Sequence, residues 1–243
     1  MQWTDEGFVV SARRHGETSS IVNLLSREHG RHAGLVRGGV SSRLRGTLQP
    51  GNLVSAIWRA RLEEHLGTLT IEPLQALAAG LLDKPGPLSA LISVCALIEF
   101  SLPEREPHPQ LFEDLSELMS LLDGPNWCAA YGLWELALLT EVGFGLDLSS
   151  CASTGRNEDL IYVSPKSGRA VSASAGEPYR DRLLPLPRFF IDGNTATTED
   201  SIIGLQLTGF FIERYIFLPH SQTLPDARAR LVQYITEENG EYS

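Results

Sequence analysis

Between Gly30 and Gly51 the chain sets four arginines, Arg31, Arg37, Arg43 and Arg45, among glycines at 30, 34, 38, 39 and 46, with no acidic residue in the stretch. A guanidinium offers planar, forked donors that match a phosphate, and a glycine lacks the Cβ that would keep a ligand away from the backbone. The chemistry this suggests is the holding of a polyanion. A Walker-type nucleotide loop is a poor match, because it needs Gly-x-x-x-x-Gly-Lys-Ser/Thr and no lysine lies between Gly34 and Arg45. His15, His29 and His32 with Glu17 and Glu28 can be drawn as a nuclease metal site, but turn histidines beside a basic strand are more often plain surface residues. No Gly-x-Ser-x-Gly elbow for a serine nucleophile occurs either. The residues therefore predict a binding protein without catalytic chemistry, metal or cofactor.

The charge balance first counts against nucleic acid, since the 243 residues carry a net charge of -10 and phosphate binding rests on cations displacing condensed counterions. Its distribution reverses that inference. From Arg13 to Arg61 nine arginines stand against Glu17 and Glu28 alone, whereas from Leu81 onward eleven basic residues face twenty-three acidic ones. Such asymmetry points to a localised binding face, with Arg59 and Arg61 joining Arg31, Arg37, Arg43 and Arg45 as candidate DNA contacts. Phe8 and Trp58 could add base stacking, but both lie in otherwise apolar runs and read first as core. No run approaches the roughly 18 uninterrupted apolar residues of a membrane span, and the N-terminus lacks a basic region followed by an apolar one, so a soluble cytoplasmic protein is expected. Cys95, Cys128 and Cys151 are few, odd in number and scattered, which predicts reduced thiols.

The elements that must carry these residues change character along the chain. Gly7–Ala12, Ser20–Leu25, His32–Val36, Leu53–Trp58 and Leu66–Ile71 read as five strands, rich in β-branched residues and separated by glycine and proline turns. Residues 38–52 make a longer loop or short helical excursion. The pattern fits an OB-type Greek-key barrel, and fits an SH3-like barrel or an open meander nearly as well. Leu74–Leu82, Leu88–Phe100, Leu111–Leu122 and Trp127–Val142 then read as helices, the last with Trp127, Tyr131, Trp134 and Leu138 along one stripe that suits a core. A loop-rich module follows at 147–187, with a hairpin from Leu160 to Ser172. Helix returns from Phe189, first over Ile202–Leu218 and then from Pro225 to Ile235, and an acidic tail at 237–243 is expected to fray. The fold class expected is α+β multidomain: an OB-type barrel at 1–80, then a helical domain at 81–243 into which the module is inserted.

Three blocks carry a family resemblance. They are Glu28 to Gly51 with its run Leu35-Val36-Arg37-Gly38-Gly39-Val40-Ser41-Ser42-Arg43-Leu44-Arg45-Gly46, then Gly143 to Leu148 with Cys151 to Gly155, and Tyr162 to Ser172. In this order they resemble the RecO family of bacterial recombination mediators over nearly the full length. The resemblance implies an N-terminal OB barrel, a helical middle and a zinc-finger-like module that holds zinc through four cysteines in some members. It also implies binding of single- and double-stranded DNA, annealing of complementary strands, cooperation with RecR, contact with the single-strand-binding protein and help in loading RecA.

The module departs from the metal-bearing members. Their two Cys-x-x-Cys pairs stand here as Cys151 with Thr154 and Ser172 with Ala175, and no histidine lies between Cys151 and Pro187, so a four-ligand tetrahedral site is not expected. The partner tail implied by the resemblance needs an apolar groove beside a basic side chain, for which Arg214, Arg228 and Arg230 are candidates by position. A rival reading makes the chain a protein-binding adaptor without direct DNA binding, in which the acidic helical part docks partners.

Overall fold

Five strands close on themselves because the first serves two neighbours. In the computed structural model, which describes residues 1–193 and 195–241, β1 (Gln2–His15) pairs with β4 (Leu53–Arg59) over Gln2–Phe8 and with β2 (Ser19–Ser26) over Gly7–His15. The handover falls at a register shift between Val9 and Ser11, where a bulge bends the strand. β3 (Gly30–Val36) follows β2 antiparallel, and β5 (Thr68–Gln75) completes the barrel, antiparallel to β4 and parallel to β3 at Leu35–Thr68. The closed order β1-β2-β3-β5-β4 is that of an OB-type barrel. Alternation decides its interior: Val9, Val22, Leu24, Val54, Ala56, Trp58 and Leu69 point inward, and Leu48 from the β3–β4 connection joins them. Trp58 and Phe8 are thus core residues, 1% and 3% exposed.

The helix expected over Leu74–Leu82 does not form. β5 continues past Pro73, with Val54 opposite Pro73 and Leu53 opposite Gln75, so the β4 ladder takes the first residues of that leucine-alanine run. Asn52 Oδ1 then accepts from the Ala78 N–H at 3.1 Å, and a 3-10 turn at Ala78–Leu81 is all the helix that remains. α2 (Pro85–Ser101) and α3 (Pro109–Leu121) belong with the barrel in one compact unit, residues 1–123. The seam is specific. The Ser11 hydroxyl and Asn23 Nδ2 both donate to Glu99 of α2, at 2.7 and 3.0 Å, while Phe8 meets Phe112 of α3 with ring centroids 5.1 Å apart. The change from strand to helix and the change of compact unit therefore fall at different places.

The second unit, 124–243, is built on α4 (Trp127–Glu141), α7 (Thr198–Ile212) and α8 (Asp226–Glu241). Thr197 caps α7 with a reciprocal Asp200 contact. Beyond Ile212 the helix continues as a π turn and a 3-10 turn to His220; by length and composition 198–220 could cross a membrane, but more than half of its apolar window is buried inside the protein. α8 runs through Glu241, and residues 242–243 of the tail expected to fray lie outside the described residues. The module contributes a three-stranded sheet, β7 (Ala170–Ser172), β6 (Leu160–Val163) and β8 (Leu184–Pro185), with the short helices α5 (Ala173–Gly176) and α6 (Phe189–Asp192) flanking the last strand.

At the centre of this unit lies a buried ion pair. Arg228 of α8 donates from Nε and Nη2 to the two oxygens of Glu135 of α4, at 2.7 and 2.9 Å, and Nη2 also reaches the Leu205 carbonyl of α7 at 2.6 Å. The hydroxyls of Tyr131 and Thr208 donate to the same carboxylate. Burial alone would lower the Arg228 pKa, but the Glu135 carboxylate more than reverses this, so the guanidinium stays charged. Arg228→Leu leaves Glu135 buried without its cation and is expected to lower the stability of this unit by roughly 3–5 kcal/mol, whereas Arg228→Met with Glu135→Leu recovers most of the loss. Denaturant midpoints of the full chain for the single and double variants check this.

Candidate nucleic-acid interface

Closing the barrel leaves the 37–52 connection outside it, and a few internal contacts hold that connection as a fixed arm. Gly38 turns the chain at φ 70°, a short helix α1 (Ser42–Arg45) follows, and Leu48 inserts into the barrel core at 4% exposure. Asn52 Nδ2 donates back to the Gly46 and Thr47 carbonyls at 2.8 and 3.2 Å, and the Gly51 N–H reaches Val9 O at 2.7 Å. Arg37, Arg43 and Arg45 remain exposed on this arm, and among the described residues none is ion-paired. The arm has a groove on either side. One, of about 610 Å³, is lined by Arg37, Arg43, Leu44, Leu69, Thr70 and Glu72 among others. The other, of about 350 Å³, is lined by Arg45, Gln49, Pro50 and Arg14. Arg14 lies outside the 30–51 stretch; near the end of β1 it pairs with Ser20 of β2 and donates to the Gly16 and Glu17 carbonyls, at 3.1 and 3.4 Å, on the far wall of this groove.

The other predicted arginines have different surroundings. Arg31 is largely buried, its Nε donating to Leu102 O at 2.8 Å and its Nη1 lying 3.5 Å from Glu104, so it ties β3 to the segment between α2 and α3. Arg59, at the far end of β4, donates from Nε to Gln2 at 2.9 Å, and Arg61 is exposed just beyond it. Arg37, Arg43 and Arg45 are brought together, whereas Arg31, Arg59 and Arg61 are not part of that arm. In the second unit Arg228 is occupied by Glu135, Arg230 is exposed, and Arg214 is exposed with its guanidinium 5.6 Å from the Tyr215 ring and 5.9 Å from that of Phe210.

The glycines of the stretch do not serve a ligand in the way their spacing suggested. A side chain at Gly34 would collide with Leu69, at Gly39 with Ser20, at Gly51 with Leu91 and at Gly30 with the Glu106 backbone; only Gly38 and Gly46 face open space. Most of them are required by close internal packing, and the arginines alone are left to meet a polyanion.

A separate cavity of about 520 Å³ lies at the other end of β1. Trp3 stacks on His29, with centroids 4.3 Å apart and planes 15° off parallel, and lies nearly parallel to Trp58 at 5.9 Å. His32 meets both indoles edge-on, at 5.0 and 4.8 Å. It is 3% exposed, and among the described residues neither ring nitrogen has a hydrogen-bond partner. Burial, then the positive charge of Arg105 and the neighbouring His29, push its pKa down to about 4, with the His29 backbone acting weakly in the opposite direction.

In the module, Cys151 Sγ accepts from the Ser172 N–H at 3.3 Å and from its hydroxyl at 3.4 Å. One buried thiol, two hydroxyls and an alanine thus stand where four ligands would be needed, and among the described residues no three His, Cys, Asp or Glu side chains converge. This donor set does not fit zinc.

Comparison with known proteins divides the chain at the end of the barrel and not at the boundary of the compact units. Residues 1–77 match the family model for the N-terminal part of recombination protein O, and residues 86–223 match the model for its C-terminal part. The DNA repair protein RecO of Rhodospirillum centenum is 54% identical over 234 residues, covering 96% of this chain and 94% of the relative. That of Methylorubrum extorquens is 50% identical over 240 residues, covering 96% and 97%, and that of Bradyrhizobium diazoefficiens is 50% identical over 242 residues, covering 98% and 96%.

Two outcomes follow from these sites. Because the folded pKa of His32 is depressed, the unfolded chain binds more protons between pH 4 and 6.5, so its contribution is complete above about 6.5 and is lost as pH falls toward 4. His32→Leu should flatten that part of the stability profile, by at most about 3 kcal/mol, in denaturant titrations at stepped pH. A strong zinc chelator should leave the thermal midpoint of the full chain unchanged, and elemental analysis should find no stoichiometric zinc.

Proposed function

The chain belongs to the RecO family of DNA repair proteins, and from that premise we propose that it binds single- and double-stranded DNA, anneals complementary strands and helps load recombinase onto strands coated by single-strand-binding protein. The observation that carries this reading is the arm at 37–52, with its three exposed arginines, none ion-paired among the described residues, between two grooves. Guanidinium groups so placed neutralise phosphates and release counterions, which gives affinity with little sequence preference and a steep salt dependence. In this reading the barrel at 1–80 is the DNA-binding domain, with Arg37, Arg43, Arg45 and Arg14 as its main contacts and Arg59 and Arg61 as an outlying pair. Arg31 shapes the barrel's junction with its helices. Annealing needs two strands held with their bases free, a task for backbone contacts alone; no bond is made or broken, so no enzyme activity, metal or cofactor enters the mechanism.

The helical part at 81–243, with its module at 147–187, carries the partner functions in this proposal. Phe144, 40% exposed, stacks on Tyr215 at 4.8 Å, and Arg214 lies against the same ring, which supplies the apolar surface and basic side chain that a single-strand-binding protein tail requires. Arg214 is the favoured partner contact, Arg230 a second exposed one, and Arg228 acts through the core instead. RecR and, indirectly, the RecA filament are the further partners proposed, in the cytoplasm at the nucleoid.

Arg37→Ala with Arg43→Ala, and Arg14→Ala with Arg45→Ala, should each weaken binding of a labelled single strand and reduce its log–log salt slope by roughly 0.7 for every phosphate that is no longer neutralised. Anisotropy titrations at stepped salt measure this, alongside a strand-annealing assay. An adaptor that does not touch DNA would show neither binding nor slope in the parent protein.

A further inference from the structure

The cavity around Trp3 and His32 has no part in the proposal above, yet it has the marks of a site. His32 is almost wholly buried with both ring nitrogens unpartnered. A buried polar group left unpaired is destabilising, and such groups are few in folded proteins. The same cavity is lined by Arg105, which sits at φ 65°, a strained conformation for a non-glycine residue, with its Nε also unpartnered. The strain has a visible anchor: the Arg105 guanidinium donates to the Glu63 and His65 carbonyls, and its backbone N–H donates to Arg31 O at 2.8 Å, fixing the 60–67 loop against the barrel. Unsatisfied polar atoms, a parallel ring stack and a strained residue thus converge on one space, whose volume of about 520 Å³ lies within the range of about 300–1,000 Å³ usual for small-molecule sites.

We propose that this cavity takes up one unpaired nucleobase of a bound single strand, stacked with the His29–Trp3–Trp58 ladder and hydrogen-bonded at its edge by His32. This rests on the DNA-binding reading above. The chemistry selects a base over other occupants. Neutral imidazole offers one donor and one acceptor, the mixed edge that bases carry and that a phenyl ring lacks. Glu28 and Glu63 line the cavity and offset the charges of Arg105 and the Met1 amine, both already bonded to backbone carbonyls, so the cavity offers no net positive charge to draw in a phosphate. The phosphate has a place outside, at Arg59, whose Nε is bonded to Gln2 on the cavity wall. Paired bases cannot reach the cavity without leaving their stack, so its occupancy distinguishes single from double strands, which the arm's arginines do not.

The test uses the full-length protein and a single-stranded oligonucleotide with an internal 2-aminopurine and a terminal dye. Anisotropy of the dye reads strand binding, and 2-aminopurine emission reads stacking. The parent protein should bind the strand and quench 2-aminopurine. His29→Ala, at a half-exposed ring, and His32→Leu, of similar bulk, should still bind through the arm, with affinity lowered roughly fivefold, and lose the quench. A quench that survives in both variants overturns the proposal. Binding by the parent protein without any quench overturns it too and leaves the DNA-binding reading standing, while absence of strand binding in the parent protein overturns both. A second measurement, which needs no variant, titrates the parent protein with 2'-deoxyadenosine and with deoxyribose 5-phosphate: a saturable change in tryptophan emission with the nucleoside alone supports the site, and the same response to both, or to neither, refutes it.

Discussion

The barrel depends on β1 pairing with two strands at once. One strand can do so only by bending, and the bulge between Val9 and Ser11 is where it bends. Once β1 has closed against β4, the sheet has no long free edge, and the parallel contact at Leu35–Thr68 is enough to complete the circle. The rest of the first unit follows from this closure. The 37–52 connection has no room inside and becomes an external arm, pinned by Leu48. The start of β1 is brought over the end of β4, which sets Trp3 beside Trp58.

Much of this was legible in the residues. Five runs of strand-forming residues became five strands, and the longest connection fell between the third and fourth, because β-branched content and turn chemistry are local properties. The arginine-rich stretch was visible for the same reason, and most of its members are exposed. The misreadings arose where a distant partner decides. Leu74–Leu82 has the composition of a helix, but β4 extends its ladder into it. Arg228 was a candidate partner contact by position, since nothing nearby in sequence announces that Glu135 waits in the core. The glycines suggested room for a ligand, whereas Leu69, Leu91, Ser20 and Glu106 fill that room. Arg14 was visible only as one of the nine arginines of the basic head, and His29 and His32 only as turn histidines, because the groove and the cavity they line are assembled from segments that only the closed barrel brings together.

The second unit meets a different constraint, that of fixing helices on one another with few specific contacts. A carboxylate that receives two guanidinium donors and two hydroxyls is fully satisfied in one arrangement of α4, α7 and α8, and unsatisfied in others. The module is held by strand pairing between β6 and β7 and by the Ser172 contacts with Cys151, and the residues at the four positions where metal-bearing relatives place ligands do not make a tetrahedral donor set.

The arm's basic residues are all arginine, and the whole chain contains lysine only at 84 and 166. Guanidinium keeps its proton throughout the range in which proteins stay folded, so the arm carries the same charge in mildly acidic and in strongly alkaline solution. It also contains no primary amine. Acetylation and other acylations that silence lysine-based contacts have no target there, and the proposed grip on a polyanion would be adjustable only by salt, by competing polyanions or by chemistry directed at arginine itself.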